Sequence, residues 1–223
     1  LNSVFKLSVK YYSLLIVPVA VLIMGLSKSL NTVVFGSGFP DAPLYLTFLA
    51  SIYLYTLIGY LNVGSLLKGQ GFTKIVLITN LIGLSVGIPV SFLIIPLLGI
   101  LGLITTNIVV TAVVLVSNLI FVKKKFGFGI EWKCSVKILL AGGFAGLIAY
   151  LLQEWLNSYP IVELVLGGFV GLCIYISVIL VSGTITKKDV QNLKAIFKGI
   201  HPLRCVFKPY AKKIEEILER ILD

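Results

Sequence analysis

Long uncharged apolar runs alternate with short polar segments along most of the chain. The two clearest runs cover residues 75–95 and 100–122, and a turn at Pro96 to Gly99 separates them. Neither run alternates in the manner of a β-strand, and each is long enough to cross a hydrocarbon core, which takes roughly 20 helical residues. The pattern therefore predicts a transmembrane helical hairpin.

Similar runs on either side of this hairpin complete a predicted bundle of six spanning helices. The expected spans are residues 8–33, 44–67, 75–95, 100–122, 136–156 and 161–182. Pro18 is expected to kink the first span, and the loop at residues 35–43 is too rich in Gly and Pro to continue a helix. We therefore expect an all-α, polytopic membrane protein with residues 1–183 in a six-helix transmembrane bundle.

Charged residues dominate the end of the chain, so residues 184–223 are expected to form a cytoplasmic tail. Apolar residues recur at helical spacing after Thr186 and again after Pro209, with charged residues opposite them. Two short amphipathic helices are therefore expected to lie on the anionic cytoplasmic leaflet. A coiled-coil contact is the alternative for the second of them.

The composition supports a membrane protein, because 58% of the 223 residues are hydrophobic and only 13% are charged. A soluble domain of this length would need a more polar surface. The net charge of +10 would suggest a nucleic-acid partner on a soluble protein. Here the lysines cluster beside the apolar runs, so we expect membrane lipids and no nucleic acid as partners.

The placement of the lysines also predicts an orientation. With six spans, both termini and two loops share one side of the membrane, and that side holds Lys6, Lys10, Lys68, Lys74, Lys123, Lys124, Lys125, Lys133, Lys137 and the basic tail. The opposite side holds Lys28 together with Asp41, Glu154 and Glu163. Loops rich in lysine and arginine stay in the cytoplasm. The expected location is therefore the cell (plasma) membrane, multi-pass, with both ends of this segment cytoplasmic.

Four stretches carry a resemblance to a known family. They are SKSLNTVVFGSGFPDAP, GSLLKGQGFTK, IPVSFLIIPLLGILGLITTNI and TITKKDVQNLK, in that order. The chain resembles the C-terminal half of polysaccharide-export flippases, which belong to the superfamily of multidrug/oligosaccharidyl-lipid/polysaccharide exporters. The resemblance implies translocation of a lipid-linked oligosaccharide or polysaccharide precursor from the cytoplasmic to the outer leaflet by alternating access. It also implies an N-terminal six-helix half as partner, and the start at Leu1 without a methionine agrees with a fragment.

Few polar residues fall inside the predicted spans, and these are the candidate substrate contacts. Lys28 and Asn31 lie on one stripe of the first helix, where a cavity cation would attract pyrophosphate or acidic sugars. The alternative is that Lys28 snorkels to the outer headgroups. Tyr53, Thr56 and Tyr60 lie close to one face of the second helix. The resemblance implies that these two helices line the central cavity, where tyrosine suits sugar contacts.

Small residues spaced four apart predict close helix packing. Gly142 and Gly146 lie on the fifth helix, and Gly167 and Gly171 lie on the sixth. Such pairs allow two helix backbones to approach closely. We therefore expect the fifth and sixth helices to pack together through them.

No enzyme constellation is visible in the sequence. His201 is the single histidine, so neither a His-containing triad nor a His-rich metal site can be assembled. We expect no enzyme activity, no metal and no cofactor. Three alternatives to a flippase stay open: a multidrug or cation antiporter of the same superfamily, a membrane glycan polymerase or ligase, and a non-catalytic membrane scaffold.

Overall fold

A computed structural model describes residues 2–127, 129, 131–156 and 159–184, and all of its regular elements in these ranges are helical. They are α1 (Asn2–Gly25), α2 (Ser27–Phe35), α3 (Ala42–Ser51), α4 (Tyr60–Gly69), α5 (Thr73–Leu98), α6 (Ile100–Phe126), α7 (Trp132–Leu156) and α8 (Pro160–Val181), with 3-10 turns at Gly36–Gly38 and Ile52–Ile58. Residues Leu1–Tyr175 form one compact unit. The tail predicted at residues 184–223 lies outside the described residues, except for Thr184.

Five of these helices, α1, α5, α6, α7 and α8, are long and apolar enough to cross a membrane. The segment from α3 to α4 makes a sixth span if its bent halves are counted together. The predicted fold class is confirmed, and the chain is an all-α, polytopic membrane protein.

The first span is longer than predicted and is interrupted near its end. α1 starts at Asn2, α2 ends at Phe35, and Leu26 alone separates the two helices. The Leu26 amide still donates a helical hydrogen bond of 2.9 Å to the Leu22 carbonyl. Pro18 lies inside α1. The interruption therefore falls at Leu26, and α1 continues through Pro18.

The second span is not the continuous helix predicted for residues 44–67. α3 passes into the 3-10 turn Ile52–Ile58, and α4 leaves Gly59 at an angle of 55° to the preceding segment. Gly59 has a φ of +92°, a left-handed conformation that glycine adopts without the steric penalty of a Cβ atom. The span is therefore broken at Gly59.

The predicted hairpin is present as α5 and α6, with a tighter connection than expected. Pro96 does not end the helix, because α5 continues to Leu98 and only Gly99 connects it to α6. A Cβ atom on Gly102 would lie 2.6 Å from the Ile94 carbonyl oxygen. The absence of a side chain at Gly102 therefore allows the two helices to meet directly after the turn.

The four predicted packing glycines all lie at close contacts, but their main partner is α1. A Cβ atom on Gly146 would come within 2.2 Å of Val21, and one on Gly142 within 3.1 Å of Val17. On α8, a Cβ atom on Gly171 would lie 2.4 Å from a Leu22 carbon atom of α1 and 3.4 Å from the Ala145 carbonyl of α7. Likewise, a Cβ atom on Gly167 would lie 2.7 Å from Leu26. The expectation that the α7 pair faces α8 is corrected, since Gly142 and Gly146 face α1.

One end of the bundle collects the helix ends that carry most of the lysines. A buried cluster there joins residues of α1, α4, α5 and α6, namely Phe5, Val9, Val63, Leu67, Val76 and Val122. The fourth span is longer than the predicted residues 100–122, because α6 continues to Phe126 and holds Lys123–Lys125 in its last turn. Positive charges in that position are favoured by the helix dipole. We call this end of the bundle the lysine-rich end.

Candidate functional site

Lys28, the cationic candidate, is paired with an acidic residue that the sequence placed on the same side of the membrane. Its ammonium group donates a hydrogen bond to Glu154 near the end of α7. It also lies 5.9 Å from the centre of the Tyr150 ring, one helical turn before Glu154. The side chains of Lys28 and Glu154 are 59% and 47% exposed. The ammonium group is therefore accessible, and its charge is balanced by a carboxylate.

The rest of α2 is held by further polar contacts to three different segments. The Ser29 hydroxyl donates to the Glu163 carboxylate of α8 at 2.6 Å. The Thr47 hydroxyl of α3 lies 3.2 Å from the Ser27 hydroxyl. Asn31 is buried and donates its amide to the Phe39 carbonyl at 3.0 Å. α2 is therefore the centre of a polar cluster at the end of the bundle opposite the lysine-rich end.

The three candidates on the second span do not share one face, because the span is broken. Tyr53 is 47% exposed and Thr56 is fully buried, although both belong to the same 3-10 turn. Tyr60 is half-buried and follows the bend, at the start of α4. Among the described residues, the Thr56 hydroxyl oxygen has no hydrogen-bond partner. Tyr53 is thus the exposed member of this group.

The bend at Gly59 is stabilised by two serines from neighbouring helices. The Ser13 hydroxyl of α1 donates to the Thr56 carbonyl at 3.1 Å, and the Ser135 hydroxyl of α7 donates to the Leu57 carbonyl at 2.7 Å. The Thr56 carbonyl also accepts from the Gly59 amide at 2.9 Å, so Ser13 gives it a second donor. A carbonyl left without a donor at a helix break is costly in an apolar environment. Both serines are buried, and each supports the break from a neighbouring helix.

A second ion pair joins the start of α1 to the residue before α7, at the lysine-rich end. The Lys6 ammonium nitrogen lies 3.5 Å from the Glu131 carboxylate, directly before α7. A narrow cleft beside this pair is also lined by Lys10 and extends to Ser13 and Ser135. The two ends of α7 are thus paired with different helices, Glu131 before its start with Lys6 of α1 and Glu154 near its end with Lys28 of α2.

The separation of these ion pairs matches the thickness of a membrane. A helix of the length that separates Lys6 from Lys28 spans about 33 Å, at roughly 1.5 Å per residue. The hydrocarbon core of a bilayer is about 30 Å thick. The two ion pairs are therefore about as far apart as the two interfaces of a membrane, where charged side chains reach water.

The candidate site combines accessible polar groups at one interface with a broken span inside the bundle. Lys28 and Tyr53 are exposed, whereas Asn31 and Thr56 are buried and Tyr60 is half-buried. Such an arrangement can present hydrogen-bonding groups and an aromatic ring to a polar ligand. Comparisons with known protein families, with curated proteins and with solved structures found no match to this chain.

Proposed function

We propose that this protein translocates a lipid-linked oligosaccharide or polysaccharide precursor from the cytoplasmic to the outer leaflet of the plasma membrane. The observation that supports this proposal most is the broken second span. Transporters commonly build their substrate sites from discontinuous membrane helices, at the interface between repeated bundles. An interrupted helix with buried hydroxyl groups around the break, as at Gly59, is typical of such proteins.

The break also provides a point for movement. α4 joins the rest of its span through one left-handed glycine, and the carbonyls on the other side are held by Ser13 and Ser135. The Thr56 hydroxyl oxygen and the Asn62 side-chain nitrogen are buried near the break without a hydrogen-bond partner among the described residues. Unpaired buried polar groups are costly, so they favour a second state in which they gain partners.

The proposed direction of transport follows from the charges. The lysine-rich end would lie in the cytoplasm, by the preference of lysine for that side. The sugar head would enter between this bundle and an N-terminal six-helix partner half and leave beside α2. Polar groups must replace water along this route, because an unpaired polar group costs several kcal/mol in hydrocarbon.

Within this mechanism, the candidate residues have different roles. Tyr53 offers an exposed ring for stacking against a sugar, and Lys28 offers an accessible ammonium group beside Glu154. Asn31 fixes the loop after α2 through its bond to Phe39. Thr56 and Tyr60 flank the break, where they become contacts when α4 moves.

Removing the protein from cells tests the proposal. A deletion of its gene should cause the lipid-linked glycan to accumulate and the surface glycan to disappear, and an intact copy should restore both. Mass spectrometry of extracted lipids and staining of the cell surface measure the two quantities. Unchanged amounts of both would contradict the proposal.

A matched pair of tyrosine substitutions tests the site. Tyr53 and Tyr12 are 47% and 48% exposed, but only Tyr53 adjoins the broken segment. Tyr53→Ala should slow glycan export roughly fivefold, since an aromatic contact is worth about 1 kcal/mol. Tyr12→Ala should leave export unchanged. Equal export by both variants at equal protein levels would remove Tyr53 from the site.

A further inference from the structure

The narrow cleft between α1 and α7 leads from the lysine-rich end to the broken span. Its mouth carries the Lys6–Glu131 ion pair, and both of these side chains are partly exposed. Its inner end is lined by Ser13, Ser135 and Ile138, which are all buried. The step along α1 from Lys6 to Ser13 is a rise of about 10 Å. The cleft therefore extends over about a third of the thickness of a hydrocarbon core.

The inner end of the cleft contacts the break at Gly59. Ser13 and Ser135, which line the cleft, donate to two consecutive carbonyls of the 3-10 turn before the break. Val9 forms part of the cleft wall and lies beside the break, since a Cβ atom on Gly59 would be 3.3 Å from a Val9 side-chain carbon atom. The cleft therefore joins the lysine-rich end of the bundle to the backbone of the break.

The size of the cleft matches one water molecule. Its volume is about 10 Å³, and a water molecule needs roughly 10–15 Å³ of such space together with two to four polar partners. A sugar or a lipid headgroup is too large for this space. The wall carries two lysines and one glutamate, a net positive charge that disfavours a metal cation. Water is therefore the ligand that the cleft fits.

The two serine hydroxyls provide the polar partners for this water. A hydroxyl group has one hydrogen to donate and two lone pairs with which to accept. Ser13 and Ser135 each donate their hydrogen to a carbonyl of the break, so each oxygen can still accept. A water molecule has two hydrogens, one for each serine oxygen. Lys10 lines the same cleft, and its ammonium group offers a donor to the water oxygen.

We infer that this cleft binds a water molecule that supports the break from the lysine-rich end. The water donates to Ser13 and Ser135, which in turn donate to the carbonyls of the break. It also replaces either serine when that serine's bond to a carbonyl opens, since a water-mediated hydrogen bond is nearly as favourable as a direct one. The fully buried Thr56 hydroxyl, which has no partner among the described residues, gains the water as a partner in the same movement.

The bound water lowers the free-energy cost of moving the break. A carbonyl that loses its donor in hydrocarbon stays unpaired, which is costly. Beside the water, the same carbonyl exchanges one donor for another. The water site does not depend on what the protein transports, whereas its role in the movement of α4 rests on the proposed function.

Hydroxyl-radical footprinting of the full chain in nanodiscs tests for this water. X-ray radiolysis makes the radicals from water, so a buried side chain is oxidised only where water lies beside it. Ile138 of the cleft is 1% exposed, and Ile104 of α6, outside the cleft, is 7% exposed. Exposure alone predicts slower oxidation of Ile138 than of Ile104. Bound water in the cleft predicts faster oxidation of Ile138, measured by mass spectrometry of the digested protein.

Two substitutions at Ser135 separate bound water from loosened packing. Ser135→Thr keeps the hydroxyl and adds a methyl group to the cleft, so the excess oxidation of Ile138 should be lost and hydrogen exchange around the bend should slow. Ser135→Ala removes the hydroxyl but leaves room for water, so the oxidation of Ile138 should persist while hydrogen exchange speeds up. Ser117→Thr makes the same change on α6, outside the cleft, and should alter neither quantity.

Three results would overturn the inference. One is oxidation of Ile138 no faster than that of Ile104 in the unchanged protein, a comparison that needs no variant to fold. Another is undiminished oxidation of Ile138 in Ser135→Thr with an unchanged thermal unfolding midpoint. The third is unchanged hydrogen exchange around the bend in that variant. Failure of the proposed function is a separate result: oxidation of Ile138 would stay fast, but deletion of the gene would leave surface glycan unchanged.

Discussion

Gly146 lies at a close approach of α1 and α7, so enlarging it tests how the bundle is held together. A Cβ atom at this position would lie 2.2 Å from a Val21 side-chain carbon atom and 3.2 Å from the Val21 carbonyl oxygen. Valine has little rotational freedom in a helix, and its carbonyl moves only with the helix backbone. Gly146→Ala should therefore force α1 and α7 apart.

The expected loss of stability follows from comparison with a neighbouring glycine, Gly143. A Cβ atom on Gly143 would have no atom within 4 Å, so Gly143→Ala gains only the helix preference of alanine, about 1 kcal/mol. Gly146→Ala gains the same preference and in addition suffers overpacking, which typically costs about 1–3 kcal/mol. The difference between the two variants removes the common gain. Gly146→Ala should therefore be about 1–3 kcal/mol less stable than Gly143→Ala.

Unfolding of the two purified variants in the same detergent measures this difference. Circular dichroism during denaturant titration gives the free energy of unfolding, and the unchanged protein serves as the reference. Equal stability of the two variants would refute the reasoning, because it would mean that α1 and α7 do not approach each other at Gly146.

Other positions give further predictions. Gly59→Ala should lower the free energy of unfolding by about 1–2 kcal/mol, because alanine is strained in a left-handed conformation. The control Gly64→Ala, with no atom near its Cβ position, should not lower it. Equal unfolding midpoints of the two variants would contradict the left-handed bend. Ser135→Ala should lower the free energy of unfolding by about 1–2 kcal/mol and speed hydrogen exchange around the bend, because the buried Leu57 carbonyl loses the serine donor. Unchanged hydrogen exchange there would mean that Ser135 does not stabilise the bend. In a cysteine-free variant, Lys124→Cys should react only with reagents applied from the cytoplasm and Asp41→Cys only from outside, and labelling from the reverse sides would invert the proposed orientation.

The spanning helices were predictable because their length and lack of charge come directly from the bilayer. An apolar run of about 20 residues needs no knowledge of its neighbours to be recognised as a span. Helix ends were less predictable, since Lys123–Lys125 look like a loop in the sequence yet extend α6. Lysines in a last turn satisfy both the helix dipole and the membrane interface.

The broken span could not be predicted, because its causes lie far apart in the chain. Gly59 resembles any other glycine within an apolar run. The hydroxyl groups that make the break tolerable come from Ser13 and Ser135, on helices that are distant in sequence. The same limit applies to Lys28, whose partner Glu154 is 126 residues away. The sequence placed both residues at one interface but contained no signal for their pairing.

For the packing glycines, the sequence predicted the close contacts but not the partner helix. Their spacing predicts a close approach, because a stripe without side chains fits against another backbone. It carries no information about which helix fills the space. Gly142 and Gly146 accordingly face α1, whereas chain order alone had suggested α8.

The leaflet distribution of the lipid-linked glycan tests the proposed transport most directly. Cells depleted of the protein can be converted to spheroplasts and treated with an oxidant that attacks sugars and does not cross membranes. Translocation by this protein predicts that the accumulated glycan is protected from the oxidant, and that restoring the protein exposes it. Equal oxidation with and without the protein would contradict transport as its function.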